Sequence, residues 1–92
     1  MNTPEFDTFR TRKLVEGFDE VLVREWAALA QNTEHTHPFD TDAQVVHGEF
    51  WLTLGGQTRH LQVGDTFQVG RGVPHSERYG AQGATFWAAR RN

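Results

Sequence analysis

Three histidines in this sequence are spaced in a way that suits metal binding. His35 and His37 are two residues apart, and His75 follows the dipeptide Val73-Pro74. In a β-strand, side chains two residues apart point to the same face and lie roughly 6–7 Å from each other along the strand. Two imidazoles placed in this way could bind one metal ion or line one polar pocket. Three imidazoles that leave coordination positions open are typical of a catalytic metal site rather than a closed structural one.

Two further residues follow His75 at the same spacing. Glu77 and Tyr79 are two and four residues after it, so on a strand all three share a face. Glu77 is a candidate metal ligand, a group that orients a ligand, or a general base. Tyr79 is a candidate proton donor or acceptor. The plainer interpretation is that both form a polar rim. We expect His47 and His60, near predicted turns, to face solvent and not to bind metal.

Composition limits the classes of function. The chain has 92 residues, enough for one domain, with a formal net charge of −3 and no cysteine. Cysteine-free chains form no disulfide and no thiolate metal site. The absence of a basic patch argues against nucleic acid as a partner. No apolar run approaches the length of a membrane span. We therefore expect a cytoplasmic protein with no membrane partner.

Glycines divide most of the chain into short strands after one helix. Thr3 as N-cap, Pro4 at the first helical position and Gly17 as a stop predict a helix over 4–16. Gly55-Gly56 predicts a hairpin turn. Residues 31–33 and 81–83 resemble polar or glycine turns. The predicted strands are 21–26, 43–47, 49–54, 57–63, 66–69, 73–79 and 84–89. Short strands at this spacing are typical of an all-β sandwich or barrel.

Two spaced motifs resemble those of the cupin family. The first, G-x5-H-x-H-x(3,4)-E-x6-G, is matched by His35, His37 and Gly48, with Leu29 where the first glycine would be. The resemblance covers residues 20–89. It implies an all-β double-stranded β-helix, the cupin or jelly-roll barrel. We expect one domain overall, with a short N-terminal helix and lead-in over 1–19 and the barrel over 20–92.

The second cupin motif, G-x5-P-x-G-x2-H-x3-N, is matched in spacing by three residues, Gly64, Gly72 and His75. Gly70 stands in place of the proline, and Tyr79 stands in place of the asparagine. Two motifs at the family's separation, joined by a hairpin of the family's length, make the resemblance specific for fold.

The acidic ligand of the first motif is missing. Counting back from Gly48 places Thr41 at that position, flanked by Asp40 and Asp42. If Thr41 faces the site, strand alternation turns both aspartates away, unless the chain bulges there. Besides the three histidines, the candidates for an additional ligand are therefore Asp40, Asp42 and Glu77.

The resemblance implies a divalent transition metal, with Zn, Fe, Ni and Mn as candidates, in a pocket open to a small molecule. Iron would imply oxygen-dependent, dioxygenase-like chemistry, and zinc or manganese would imply isomerase-like or hydrolytic chemistry. The alternative is a metal-free module that binds a small polar or carbohydrate-like ligand. Its stacking wall would come from four aromatic residues, Trp26, Trp51, Phe86 and Trp87. A cupin sensor of a transcription factor ranks last, because the chain is short and acidic.

Apolar residues on the outward face of one predicted sheet suggest a partner. Trp51 and Val46 would be costly to leave exposed to water. We therefore expect a homodimer that buries this sheet face.

Overall fold

The computed structural model describes residues 4–92, and in this range one helix precedes six strands. The elements are α1 (Pro4–Val15), β1 (Glu20–Trp26), β2 (Gln31–His35), β3 (Asp40–Leu54), β4 (Gln57–Gln62), β5 (Thr66–Val69) and β6 (His75–Arg91). The predicted helix is confirmed to within one residue at its C-terminal end, while the proposed N-cap, Thr3, lies outside the described residues. No helix among residues 4–92 is long and apolar enough to cross a membrane.

The two long strands, β3 and β6, form the spine of the barrel. They pair antiparallel from Asp40 opposite Arg91 to Leu54 opposite His75. The first part of β6 also pairs with β2, and its second part pairs with β1. The first part of β3 pairs with β5, and its last part pairs with β4. Each long strand thus pairs with one short strand along its first part and with another along its second part. This pairing confirms the predicted all-β jelly-roll architecture.

The barrel closes around an apolar core that extends to the inner faces of both long strands. Its largest fully buried side chains are Tyr79, Phe50, Leu61 and Val45. The β3–β4 hairpin turns at Gly55 and Gly56, whose φ angles are +60° and +78°. Two consecutive positive φ angles are typical of a type I′ turn, so the hairpin prediction is confirmed.

The glycines at 80–83 do not end a strand, and the predicted turn at 81–83 is wrong. Strand β6 runs through them, and the register slips so that residues 80–83 lie between the pairs Phe50–Tyr79 and Gly48–Ala84. A Cβ on Gly48 would collide with the backbone of Gly83, and one on Gly83 would collide with the carbonyl oxygen of Trp26. Glycine is needed here because three backbones approach closely, not because the chain reverses.

Residues 31–33, predicted as a polar turn, instead begin strand β2. Gln31 pairs with Arg78, and Asn32 pairs with Glu77. These polar residues have low strand propensity, but the edge of β6 offers them backbone hydrogen-bond partners, and tertiary context overrides propensity. The two strands predicted at 43–47 and 49–54 are likewise one strand, β3, bent by irregular pairing on either side of Gly48.

Helix α1 packs on the outside of the barrel. Phe6 and Phe9 are buried, and their ring centroids lie 5.6 and 5.5 Å from that of Trp87. The predicted packing role of these phenylalanines is thereby confirmed. Trp87 points toward the helix, so it does not form the ligand-stacking wall that the sequence suggested.

Candidate metal centre

The structure brings His35, His37 and His75 together. Each offers one ring nitrogen to a group in which all three nitrogens lie within 4.8 Å of one another. The ring centroids are 4.3 Å apart for His35 and His75, 4.9 Å for His35 and His37, and 5.0 Å for His37 and His75. Tetrahedral coordination at about 2.1 Å requires nitrogens about 3.4 Å apart, so the rings would move closer together on binding one ion. The predicted convergence is confirmed.

A β-bulge places His35 in this cluster. Asn32 lies opposite Glu77 and His35 lies opposite His75, so three steps along β2 match two steps along β6. Without the extra residue, Glu34 would face the cluster. Because of it, His35 points inward and Glu34 is exposed.

His37 reaches the cluster from a loop, because β2 ends at His35. Strand alternation is therefore not the reason that His35 and His37 share a face. The His37 carbonyl accepts a hydrogen bond from the backbone N–H of Gly72 at 2.9 Å. Its ring stacks on Phe39, with centroids 4.8 Å apart. These two contacts hold the loop and the imidazole.

Backbone carbonyls determine which nitrogen of two histidines is free. His35 Nδ1 lies 2.6 Å from the carbonyl oxygen of Thr33, and His75 Nδ1 lies 3.0 Å from that of Val73. A carbonyl oxygen only accepts, so each Nδ1 carries the proton and each Nε2 keeps its lone pair when the ring is neutral. Metal-binding histidines are commonly oriented by this kind of contact.

Glu77 lies beside the histidines, and its two oxygens have different surroundings. Oε1 accepts hydrogen bonds from Asn32 Nδ2 at 3.0 Å and from the Tyr79 hydroxyl at 3.4 Å. Oε2 is buried and has no hydrogen-bond partner among the described residues. It lies 3.5 Å from His75 Nε2 and 3.6 Å from His35 Nε2. The side chain is only 10% exposed. One oxygen is thus anchored and the other faces the cluster.

Tyr79 lies in the core behind Glu77 and does not line the cavity. Its ring stacks on Trp26 and Phe50, with centroids 5.3 and 5.2 Å away. Burial, followed by the charge and hydrogen bond of Glu77, raises the pKa of its hydroxyl. Tyr79 is therefore a neutral donor that positions Glu77, rather than a group that contacts a ligand.

The imidazole of His37 is kept neutral by its surroundings. Burial, together with the nearby rings of His75 and His35, lowers its pKa below the usual 6.5. Neutral imidazole is the form that binds a metal ion.

The aspartates beside Thr41 are not brought to the cluster. Thr41 lines the cavity, as the alternation argument required. Asp40 accepts from the backbone N–H of Arg71 at 2.8 Å, and Asp42 binds Lys13 Nζ at 2.8 Å. Both carboxylates are used on the outside of the barrel, which leaves Glu77 as the acid beside the histidines.

The remaining histidines lie away from the cluster. His60 is exposed, bonds to Glu49 at 2.7 Å and stacks on Trp51 with centroids 4.6 Å apart. His47 is exposed on β3. Trp51 lies on the outer face of the sheet and not in the cavity that contains the three histidines.

The histidines open into a cavity of about 390 Å³ inside the barrel. Its inner part is apolar, and is formed by Phe50, Leu52, Phe67, Val69, Phe86 and Ala88. Trp26 and Phe86, two of the expected aromatic wall residues, line it. The sequence interpretation missed Arg24 and Arg90, which also line it. Each lies on a strand where alternate residues face inward, but the inward face could be assigned only from the strand pairing.

Comparison with known proteins shows similarity in structure rather than in sequence. No family model matches the sequence, and no curated protein matches it. Solved structures do match. KdgF from a Halomonas species is 23% identical with a TM-score of 0.67, and the match covers 78% of this chain and 67% of that one. An RmlC-like cupin from Shewanella frigidimarina is 25% identical with a TM-score of 0.66, with 79% of this chain and 68% of that one covered.

A larger protein matches with a higher TM-score. The DMSP lyase DddQ from Ruegeria pomeroyi is 23% identical with a TM-score of 0.71 over 78% of this chain. The match spans only 37% of the lyase. The strand topology and these similarities together show that the chain has the cupin fold, as the two sequence motifs predicted.

Proposed function

We propose that this chain binds one divalent transition-metal ion through His35, His37 and His75, with Glu77 as the adjacent carboxylate, in a cavity that admits a small molecule. The observation that carries the proposal is Glu77 Oε2, a buried carboxylate oxygen without a donor, 3.5–3.6 Å from two imidazole Nε2 atoms. Lone pairs that face one another in a buried site repel, and a cation among them removes the repulsion.

A proton is the competing occupant of this site. An imidazolium on His35 or His75 would pair with Glu77 Oε2 and would correspond to the alternative function, a metal-free binding module. Two features favour a metal ion over a single proton. Three imidazoles converge here, whereas a proton shared with Glu77 would need only one. The Nδ1 contacts of His35 and His75 also direct both Nε2 atoms toward the same point.

The donor atoms limit which metal ions this site could bind, but they do not identify one ion. Three imidazoles and one carboxylate suit Zn, Fe, Ni and Mn. When bound, such an ion supplies a Lewis acid with positions open to a substrate. In this proposal Glu77 accepts a proton from a molecule bound beside the histidines, and the contacts of Asn32 and Tyr79 with Oε1 support this role because they hold the carboxylate in place. We extend the proposal to metal-dependent catalysis, dioxygenase-like or isomerase-like, because the resemblance of the two motifs to cupins implies it. A DMSP lyase is among the proteins of similar structure.

Metal analysis of protein purified without a metal-affinity tag tests this function. We expect one equivalent of metal per chain after incubation with a first-row ion and removal of the excess. His75→Ala should lose nearly all of it. His60→Ala is the matched control, because His60 is an exposed histidine that bonds to Glu49 away from the cavity. It should retain one equivalent.

Two results would contradict the proposal. One is the absence of bound metal in the natural protein after incubation with each of Zn, Fe, Ni and Mn. The other is equal metal content in the His75→Ala and His60→Ala variants. Circular dichroism of both variants separates loss of the site from loss of the fold.

A further inference from the structure

We infer that the ligand of this cavity is a small organic anion whose carboxylate is bound by Arg24, with Arg90 adding positive charge. The inference deepens the proposed function and rests on it, because the other part of the ligand would face the metal centre. It is drawn from two arginines that the metal site does not use.

Arg24 points into the barrel and forms no ion pair with an acid among residues 4–92. On β1 it lies opposite Phe86, a residue of the cavity wall, and it lines the same cavity. Its guanidinium carbon lies 5.1 Å from the ring centroid of Trp26. Among the described residues no hydrogen bond or ion pair involves its side chain, and the residue is half-buried. Five N–H donors are therefore free to bind an acceptor.

Arg90 adds a second positive charge to the same cavity. It lies opposite Thr41, and its guanidinium carbon is 4.4 Å from the ring centroid of Phe39, which stacks on His37. Its acidic partner is Glu20, at 3.4 Å, and the Glu20 side chain is 45% exposed. A long contact with an exposed acid leaves much of the Arg90 charge uncompensated.

The charged side chains that line the cavity sum to a positive charge, whereas the protein as a whole is negatively charged. Among residues 4–92, the lining contains two arginines, Arg24 and Arg90, and one acid, Glu77, which faces the histidines. A divalent ion would make the cavity more positive still, although the whole chain carries a formal net charge of −3. A partly buried guanidinium without a partner is unfavourable, and a carboxylate compensates it with two parallel charge-assisted hydrogen bonds.

Volume and wall chemistry limit the rest of the ligand. A cavity of about 390 Å³ has room for about a dozen non-hydrogen atoms, taking ~30 Å³ for each as in liquid water. Phenylalanine, leucine and valine side chains form its inner wall and offer no hydrogen bonds. The ligand class that fits is a small carboxylate with a short hydrocarbon part.

Calorimetric titration with hexanoate and with its neutral analogue hexanamide tests the inference. Both protein stripped of metal by a chelator and protein loaded with zinc are titrated. We expect hexanoate to bind at least about tenfold more tightly than hexanamide, since hydrogen bonds to charged groups contribute about 1.5–3 kcal/mol. Arg24→Gln should abolish this preference without changing the metal content.

Two variants serve as controls. Arg78→Gln removes an arginine that lies over Trp51 on the outer face, and it should leave the preference for hexanoate unchanged. Arg24→Lys keeps the charge but loses the planar fork, and it should retain a weakened preference. Far-ultraviolet circular dichroism checks the fold of each variant.

The outcomes separate this inference from the metal site. Hexanoate binding that requires zinc and is unchanged in Arg24→Gln would mean that the carboxylate is a metal ligand, which overturns the anion site and leaves the metal site standing. Arg24-dependent binding in a protein that takes up no metal would support the anion site while the metal proposal fails. Equal affinity for hexanoate and hexanamide, or no hexanoate binding at millimolar concentration, would also overturn the inference.

Discussion

Glu77 differs from the other two candidate acids, Asp40 and Asp42, in the surroundings of its carboxylate oxygens. Asn32 and Tyr79 hold Oε1, whereas Oε2 faces His35 and His75 without a donor. Asp40 and Asp42 have polar partners outside the cavity. Glu77, on the strand that also carries His75, is therefore the carboxylate that we propose in place of the acid that the first cupin motif lacks.

Glu77→Gln should weaken metal binding by about 10- to 100-fold, the range typical for groups that orient or neutralise a metal site. The amide keeps the shape of the side chain but loses the negative charge next to the histidines. Glu34→Gln is the control, since Glu34 is an exposed acid on the same short strand as His35. Competition with a chelating dye measures both affinities. Equal affinities for the two variants would show that Glu77 plays no part in the site.

Leu29 occupies a backbone conformation that favours glycine. Its φ is +60°, and 72% of the residue is exposed. This is also the position at which the first cupin motif has glycine. A left-handed conformation costs a residue with a Cβ about 1–2 kcal/mol.

Leu29→Gly should raise the free energy of unfolding by about 0.5–1 kcal/mol. Relief of the left-handed strain exceeds the extra entropy that glycine gains in the unfolded chain, about 0.4–1 kcal/mol. Urea denaturation measures the change. Leu29→Ala retains the Cβ and should differ little from the natural protein. Equal stability of the glycine and alanine variants would contradict the explanation by strain.

Helix α1 is fastened to strand β3 by Lys13. The Lys13 ammonium lies 2.8 Å from Asp42 and 3.1 Å from Glu16, and only 9% of the residue is exposed. Burial alone lowers the pKa of Lys13, but the hydrogen bonds and charges of Asp42 and Glu16 outweigh it, so the net pKa is raised above 10.5. The fold therefore favours the charged form.

Lys13→Met should lower the free energy of unfolding by about 1–2 kcal/mol at neutral pH, because the hydrogen bonds of the ammonium to Asp42 and Glu16 are lost. The loss is no larger because both acids are partly exposed to water. A raised pKa means that this contribution is complete below pH 10.5 and disappears as the pH rises through the folded-state value. Urea denaturation at pH 7 and at increasing pH above 10.5 measures it. Arg10→Met, at an exposed helix position, is the control. A stability difference that does not shrink above pH 10.5 would contradict this role.

The strands that the sequence predicted well are those with local signals. Alternation over 49–54 and the pair Gly55-Gly56 define the β3–β4 hairpin without reference to the rest of the chain. Strand β2 has no such signal, since its polar residues become a strand only through pairing with β6. Gly83 illustrates a second limit, because a glycine required for close backbone approach has the same local appearance as one that permits a turn.

The whole molecule was predictable in fold and in the convergence of the histidines, but not in the character of its cavity. Two motifs at the right separation were sufficient to predict the cupin barrel and the convergence of the three imidazoles. Arg24 and Arg90 were missed because only the register of β1 and β3 against β6 places them inside. The bulge that turns His35 inward is equally invisible without the partner strand.

The expected homodimer stays a prediction. Trp51, one of the residues on which it was based, is partly covered within its own chain. His60 stacks on one side of the indole with centroids 4.6 Å apart, and the Arg78 guanidinium carbon lies 4.6 Å from its ring centroid.

Anomalous diffraction at the zinc absorption edge, from crystals of the zinc-loaded protein, tests the central claim most directly. The claim is that the neighbouring His35 and His37 share one ion inside the barrel with His75, which is distant from them in the sequence. We expect one anomalous peak per chain, about 2.0–2.1 Å from a ring nitrogen of each of His35, His37 and His75. A difference map without a peak among these three rings, or with zinc bound only elsewhere on the chain, would contradict it.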